Sequence, residues 1–317
     1  MSVIAHRSVS LQAALVEMGA RVLLKPLITA YPVQSWSFAP LLLAERIAAA
    51  IPWAPAGVEV SRETIAGVDV ERLTPTGEAL RDDTALIYYH GGAFLAGGPA
   101  THRRLASVLA RALGVVVLNV DYRQLPEVGL GSSVEDAYRV YRAVSDSRRY
   151  RNVVVGGDSA GGYLSVKVIE LAYLDAVRAP TAFFGYSPLL TPTVTADDPR
   201  AEINDAYLTI GKLRSLRTWF DLGPGTRGAD DVVVVPEEAF PPGVLVAASG
   251  EMLRIDSERL HERLDAAGNE CDLHLFDGGV HAFPVLTGLT PESTEAVRLT
   301  VAFLDSVLAA RQARQAA

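Results

Sequence analysis

Between residues 84 and 158 three short, continuously apolar runs, TALIYYH, VVVLNVDY and NVVVGGDS, are separated by two stretches of helical periodicity, THRRLASVLARALG and SVEDAYRVYRAV. A run with no polar face has nothing to offer water, so each strand must be covered on both sides. Such strands alternating with helices form a parallel sheet between two helical layers. The alternation continues with a helix from Ala160 through Leu174, strand candidates AFFGYSP, GVLVAASG and CDLHLFDG, a helix at SERLHERLDAAG and a closing helix from Pro291 to Ala310. Ahead of it, GVEVSRETIAGVDVERLTP alternates through Val58, Val60, Ile65, Val68 and Val70 with a turn at Ala66 and Gly67, which predicts a β-hairpin.

No 20–50-residue period and no low-complexity tract interrupts this plan, which excludes solenoids and flexible linkers. With 317 residues and 49% hydrophobic content the chain can bury a large core, and residues 1–317 are expected to form one α/β domain. Two segments stand outside the alternation. Residues 1 to about 55 are rich in Leu and Ala and read as helical; residues 187 to about 235 carry Pro, Thr and Asp before the helical LTIGKLRSLRTWF. Both are expected to form a helical cap, the plainer alternative being peripheral helices that cover the sheet.

A net charge of −8 with scattered arginines repels polyanions, so nucleic acid is not an expected partner. The single cysteine, Cys271, excludes an internal disulfide and a cysteine-built zinc site. The N-terminal apolar residues are broken by Gln12, Glu17, Arg21 and Lys25 too often for a secretory core or a membrane span, and a cytoplasmic location is expected.

The chemistry concentrates at VVVGGDSAGGYLSV. Gly157, Asp158, Ser159, Ala160 and Gly161 fit G-x-S-x-G, in which a strand turns sharply into a helix and lifts a serine hydroxyl clear of the sheet. The glycines are required because a Cβ on either would strike the neighbouring strand or helix. Alone the pattern is weak; a buried strand before it and a helix after it give it meaning. An antiparallel start, a parallel sheet and this turn are together the plan of an α/β-hydrolase fold.

A nucleophilic hydroxyl needs a base, placed in this fold after the serine and after an acid. Of the histidines beyond Ser159, His261 falls mid-helix and His274 within a strand, whereas His281 follows the last strand in the loop FDGGVHAF, where Gly278 and Gly279 free the backbone. Glu251 stands at the tip of GVLVAASG, where an acid that orients the imidazole belongs; Asp256, five residues on and suited to capping the next helix, remains the alternative acid. The loop His90, Gly91, Gly92, Ala93 follows TALIYY and is expected to aim main-chain amides of Gly91, Gly92 and Ala93 at an oxyanion, joined by the amide of Ala160. His90 comes too early in the chain to be the base and is expected to pin the loop. No Lys-Ser/Thr follows either glycine-rich segment, which argues against a phosphate cradle.

HGGAF, VDYRQLPE with VEDAY, GDSAGG, Glu251 with its following Met-Leu-Arg, and VHAF occur in one order over about residues 58 to 310. In this the chain resembles the hormone-sensitive lipase family of α/β-hydrolases, the bacterial family IV esterases. The interval from Glu251 to His281, 281 − 251 = 30 residues, is similar to that family's acid-to-histidine spacing. The resemblance implies a serine carboxylic ester hydrolase with an N-terminal helical cap, no metal and no organic cofactor. The chain departs from the family pattern at Ala93, which replaces a third glycine, at Glu251 in an E-M-L rather than D-x-L context, and at VGLGSS, which replaces a Pro-rich stretch. Expected substrates are short or medium acyl esters. Alternatives are a deacylase, acyl-eliminating or cyclising enzyme of natural-product metabolism, and a non-catalytic ligand-binding relative; a homodimer is compatible with the fold.

Overall fold

The structure is a computed structural model that describes residues 3–34, 56–77, 80–221 and 223–316, together with residues 37, 40, 43, 45 and 47. Most of the expected helix FAPLLLAERIAAAI lies outside the described residues. Among the described residues nine strands form one sheet: β1 (Val3–His6), β2 (Val58–Ile65), β3 (Val68–Pro75), β4 (Thr84–Tyr89), β5 (Val116–Asp121), β6 (Asn152–Asp158), β7 (Ala182–Tyr186), β8 (Gly243–Ala248) and β9 (Cys271–Phe276). Their order is β1-β9-β8-β7-β6-β4-β5-β3-β2. The β2–β3 and β3–β5 pairings are antiparallel and the others named here are parallel. The fold is an α/β-hydrolase fold.

The side-chain alternation of β4 divides the core. Ala85, Ile87 and Tyr89 join the cluster that includes residues of the helices Leu130–Asp146 and Ala160–Leu174. Leu86 and Tyr88 point to the opposite face, where they share a cluster with residues of the helices Pro99–Leu113 and Pro291–Ala316. Successive strand residues face opposite ways, so a strand apolar at every position feeds both layers. The hairpin turn places Ala66 at φ +51° and Gly67 at φ +82°. Two consecutive positive φ values match the right-handed twist of the strands on either side.

Two elements differ from the sequence reading. Residues 3–6 are not helical; they form the edge strand β1, parallel to β9, with Val3 opposite Leu273 and His6 opposite Phe276. Four residues on a largely exposed edge carry no periodicity of their own, and β1 exists because β9 offers it a ladder. The closing helix runs on to Ala316. Past β1 the chain forms the helix Leu11–Gly19, one wide turn Ala20–Leu24 and the helix Lys25–Ala30. Lys25 reaches across to Asn204 and the carbonyl of Asp205, tying this segment to residues 187–235. Among the described residues, no helix is long and apolar enough to cross a membrane.

Because β4, β6, β8 and β9 run the same way, their C-terminal ends all open on one edge of the sheet. In open α/β sheets that edge is where ligands bind. Leu304 is fully buried between the closing helix and the sheet. Leu304→Ala is expected to cost about 2–5 kcal/mol, read as a lowered urea midpoint with an unchanged slope.

Candidate active site

β6 ends at Asp158, and the helix Ala160–Leu174 begins after a single intervening residue. The reversal falls on Ser159, at φ +50° and ψ −116°, a conformation that L-residues rarely adopt. It is held by hydrogen bonds from the Ser159 amide to the Tyr186 carbonyl at 2.8 Å and from the Leu189 amide to the Ser159 carbonyl at 3.0 Å. A Cβ on Gly157 would come within 2.2 Å of the Tyr89 carbonyl oxygen, and one on Gly161 within 1.8 Å of the same atom. These two glycines let the turn sit against β4.

His281 Nε2 lies 2.9 Å from Ser159 Oγ, and His281 Nδ1 lies 2.8 Å from Glu251 Oε2. The carboxylate only accepts, so the Nδ1–H donates to Glu251 and the bare Nε2 of the neutral ring faces the serine hydroxyl. Glu251 Oε1 accepts from the Ala248 amide at 3.1 Å, so both carboxylate oxygens are fixed. His281 and Glu251 are 6% and 1% exposed, while Ser159 keeps partial access to solvent. Burial works to lower the His281 pKa, but the Glu251 hydrogen bond and charge, reinforced by Asp205 and Asp158, outweigh it and hold the imidazole above its ordinary value.

Asp256 takes a different position. It sits inside the helix Arg254–Ala266, which starts after Leu253 without a side-chain cap, so it does not cap that helix. Its Oδ2 accepts from the amides of Leu190 and Thr191 at 2.8 and 2.9 Å, and Arg200 lies 3.4 Å away. Burial pushes its carboxyl up to about 6 against the pull of Arg200 and those amides. It fastens the segment after β7 rather than meeting His281.

The loop after β4 requires one correction. The Gly91 amide is not free to meet an oxyanion, because it donates to Asp158 Oδ1 at 2.9 Å. Among the described residues no hydrogen bond occupies the amides of Gly92 and Ala93. Ala160 opens its helix, where an N–H has no intrahelical acceptor. Gly92 (φ +120°), Ala93 (φ +55°) and Phe94 (φ +61°) form a tight turn closed by the Leu95 and Ala96 amides on the Gly92 carbonyl, each at 3.0 Å. At Gly92 a Cβ would overlap the Ala96 carbonyl at 1.9 Å. His90 is buried, bonds the Gly91 carbonyl through Nδ1 at 2.8 Å and stacks on Tyr122. Burial first, then His102, lowers its pKa to about 3, so it packs as a neutral ring. His274 pairs with His6 and His261 is buried within its helix, both away from Ser159.

Several supporting residues escaped the sequence reading. The Tyr207 hydroxyl donates to the His281 carbonyl at 2.9 Å. Buried Asp205 receives the amides of Met252, Tyr207 and Leu208. Ser187 accepts from the Ala282 amide. None belongs to a motif read from the sequence; each is tied to the site by at least one partner far away in sequence. Asp158 sits inside G-x-S-x-G as its variable residue, and that placement was the one available signal for it.

A cavity of about 530 Å³ opens against His281, Gly92 and Asp158. Val16, Ala20 and Leu24 from the N-terminal helical segment and Val285 and Leu286 give it an apolar wall. Among the described residues, no group of three or more His, Cys, Asp or Glu side chains is placed to hold a metal ion.

Comparison with known proteins agrees with this geometry. Residues 86–285 match the family model for the alpha/beta hydrolase fold. The chain is 30% identical over 304 residues to the carboxylesterase/phospholipase LipF of Mycobacterium tuberculosis, covering 91% of this chain and 80% of that protein. It is 30% identical over 229 residues to the esterase LipU of the same organism, covering 68% and 75%. The crystal structure of an esterase from the bacterial hormone-sensitive lipase family superposes with a TM-score of 0.76 at 26% identity, covering 94% of this chain and 99% of that one. The chain belongs to the α/β-hydrolase family, with the bacterial hormone-sensitive lipase esterases, and is a carboxylic ester hydrolase.

The glycine requirement can be tested directly. Gly161→Ala has no room beside the Tyr89 carbonyl. It is expected to be destabilised by about 1–3 kcal/mol or more, measured by thermal unfolding, with activity falling further than stability explains.

Proposed function

We propose that the protein hydrolyses short or medium acyl esters through an acyl-enzyme formed on Ser159. His281 Nε2 takes the hydroxyl proton as Ser159 Oγ attacks the ester carbonyl. Glu251 keeps the ring in the required tautomer and stabilises the imidazolium that forms. The amides of Gly92, Ala93 and Ala160 receive the tetrahedral oxyanion. His281 then gives its proton to the leaving alcohol, and water, activated by the same nitrogen, releases the acid. The observation that carries this reading is the unbroken line Ser159 Oγ, His281, Glu251, with links of 2.9 and 2.8 Å. The N-terminal helical segment and residues 187–235 act as the cap, a reading supported by Val16, Leu24 and Tyr207 in the cavity wall. That largely apolar wall beside a polar reacting corner favours an acyl chain of modest length.

Ser159→Ala is expected to lower kcat on p-nitrophenyl esters by about six orders of magnitude; retained activity would remove Ser159 from this role. Glu251→Ala should cost on the order of ten-thousand-fold in kcat while the fold survives. Asp256→Ala should instead act on stability, by about 1–3 kcal/mol, because it leaves the buried amides of Leu190 and Thr191 without their acceptor while Arg200 keeps Asp198. The base works only when neutral, and His281 is held above the ordinary imidazole value. As pH falls through that raised value the ring becomes protonated, so kcat/KM should decline on its acid side at a higher pH than a free imidazole would give. Glu251→Gln removes the main source of the elevation and should move that limb downward.

A further inference from the structure

The carboxylate beside the nucleophile lies at the centre of a buried cluster to which the proposed mechanism gives no part. Asp158 is 3% exposed. Its Oδ1 accepts from the Tyr88 hydroxyl at 2.5 Å and from the Gly91 amide at 2.9 Å. Its Oδ2 faces His102 Nε2 at 3.5 Å. One side chain adjacent to Ser159 therefore grips both β4 and the loop that carries the amides of Gly92 and Ala93.

The protonation of His102 follows from its other nitrogen. His102 Nδ1 lies 3.1 Å from the Gly98 carbonyl oxygen and 3.0 Å from Thr101 Oγ1. The Thr101 hydroxyl points its own hydrogen at the Gly98 carbonyl, at 2.9 Å. A carbonyl oxygen only accepts, so Nδ1 bears a hydrogen. A neutral ring would then turn the lone pair of Nε2 against the Asp158 carboxylate inside the protein. An imidazolium instead turns an N–H toward it. The other groups near His102 agree with a charged ring. His90, with its ring centroid 5.5 Å away, is kept neutral; Tyr88 is uncharged and donates a hydrogen bond to Asp158; Glu45 adds a favourable negative charge. Burial opposes a charged His102, yet Asp158, the Gly98 carbonyl and Glu45 hold it above the ordinary imidazole value. Burial likewise opposes a charged Asp158, and His102 with Tyr88 holds it below the usual carboxylate range.

From this we infer that His102 and Asp158 form a buried imidazolium–carboxylate pair that positions the oxyanion loop on the nucleophile turn, and so sets transition-state binding rather than ground-state binding. The inference rests on the oxyanion reading proposed above. Asp158 occupies the Gly91 amide and thereby fixes the direction of the next two amides, which strengthens the donors exactly where charge develops only if the loop cannot swing. His102 fixes Asp158 in turn and anchors it to the helix Pro99–Leu113. Both are positioning residues, acting through Gly91 and the loop.

Three variants test this: Asp158→Asn, which keeps the shape and the Oδ1 acceptor; His102→Gln, which removes only the charge and ring; and Asp158→Ala. Each is compared with wild type for kcat and KM on a p-nitrophenyl ester, and for inhibition by phenylboronic acid, whose tetrahedral serine adduct imitates the transition state. Asp158→Ala should lower kcat on the order of 100-fold, and the two milder variants at least about tenfold, with KM held within about threefold. Boronate affinity should weaken in step with kcat/KM. If Asp158→Ala fails to fold, the two milder variants decide the matter. The inference is overturned if both keep kcat within about twofold of wild type, or if kcat falls while boronate affinity is retained. Labelling of wild type by a fluorophosphonate separates the two layers. An unlabelled Ser159 defeats the acyl-enzyme reading itself, whereas a labelled Ser159 with unaffected variants defeats only the clamp.

Discussion

The arrangement depends on one strained residue. Ser159 is held at φ +50° where β6 gives way to its helix, and no side chain gains from that conformation for its own sake. The surrounding structure over-determines it. The Tyr186 carbonyl takes the Ser159 amide, and the strand of Tyr89 passes so close that only glycine fits at positions 157 and 161. A serine on an ordinary strand or helix would lie along the surface. Here it is lifted to meet His281, from the loop after β9, which in turn meets Glu251, from the turn after β8.

Around that point the protein places its charges in the interior and satisfies each of them. Glu251 uses one oxygen on His281 and the other on the Ala248 amide. Asp205 gathers the amides of Met252, Tyr207 and Leu208, holding the turn after β8 close to residues 205–208. Tyr207 fastens the His281 backbone from the same segment. Buried charges persist when they are paired and hydrogen-bonded, and here the pairing also fixes direction. Through Tyr207, residues 187–235 brace the loop that carries the imidazole.

What the sequence made legible follows from the range of each signal. Continuous apolar runs named β4, β5 and β6 because burial on both faces is a local property of a strand. Ser159 and His281 were readable because a tight turn and a glycine-rich loop leave their marks within a few residues. The place of Glu251 at the tip of β8 favoured it over Asp256 but left both open, because both follow β8 closely and it is the path of the chain after β7 that sends Asp256 to Leu190 and Arg200 instead. β1 stayed hidden because four edge residues take their structure from β9. The Gly91 amide was misassigned because its competitor, Asp158, comes from 67 residues away. His102, Asp205 and Tyr207 belong to the same group of long-range contacts, for which spacing carries no information.

The central claim is that ester cleavage passes through a covalent bond to Ser159. Rapid mixing with a p-nitrophenyl ester under acid quench, followed by mass analysis of the peptide around residue 159, measures this most directly. The account predicts a burst of p-nitrophenol equal to the enzyme present and the acyl mass on Ser159. Turnover without any acylated intermediate, or an acyl group carried by another residue, would contradict it.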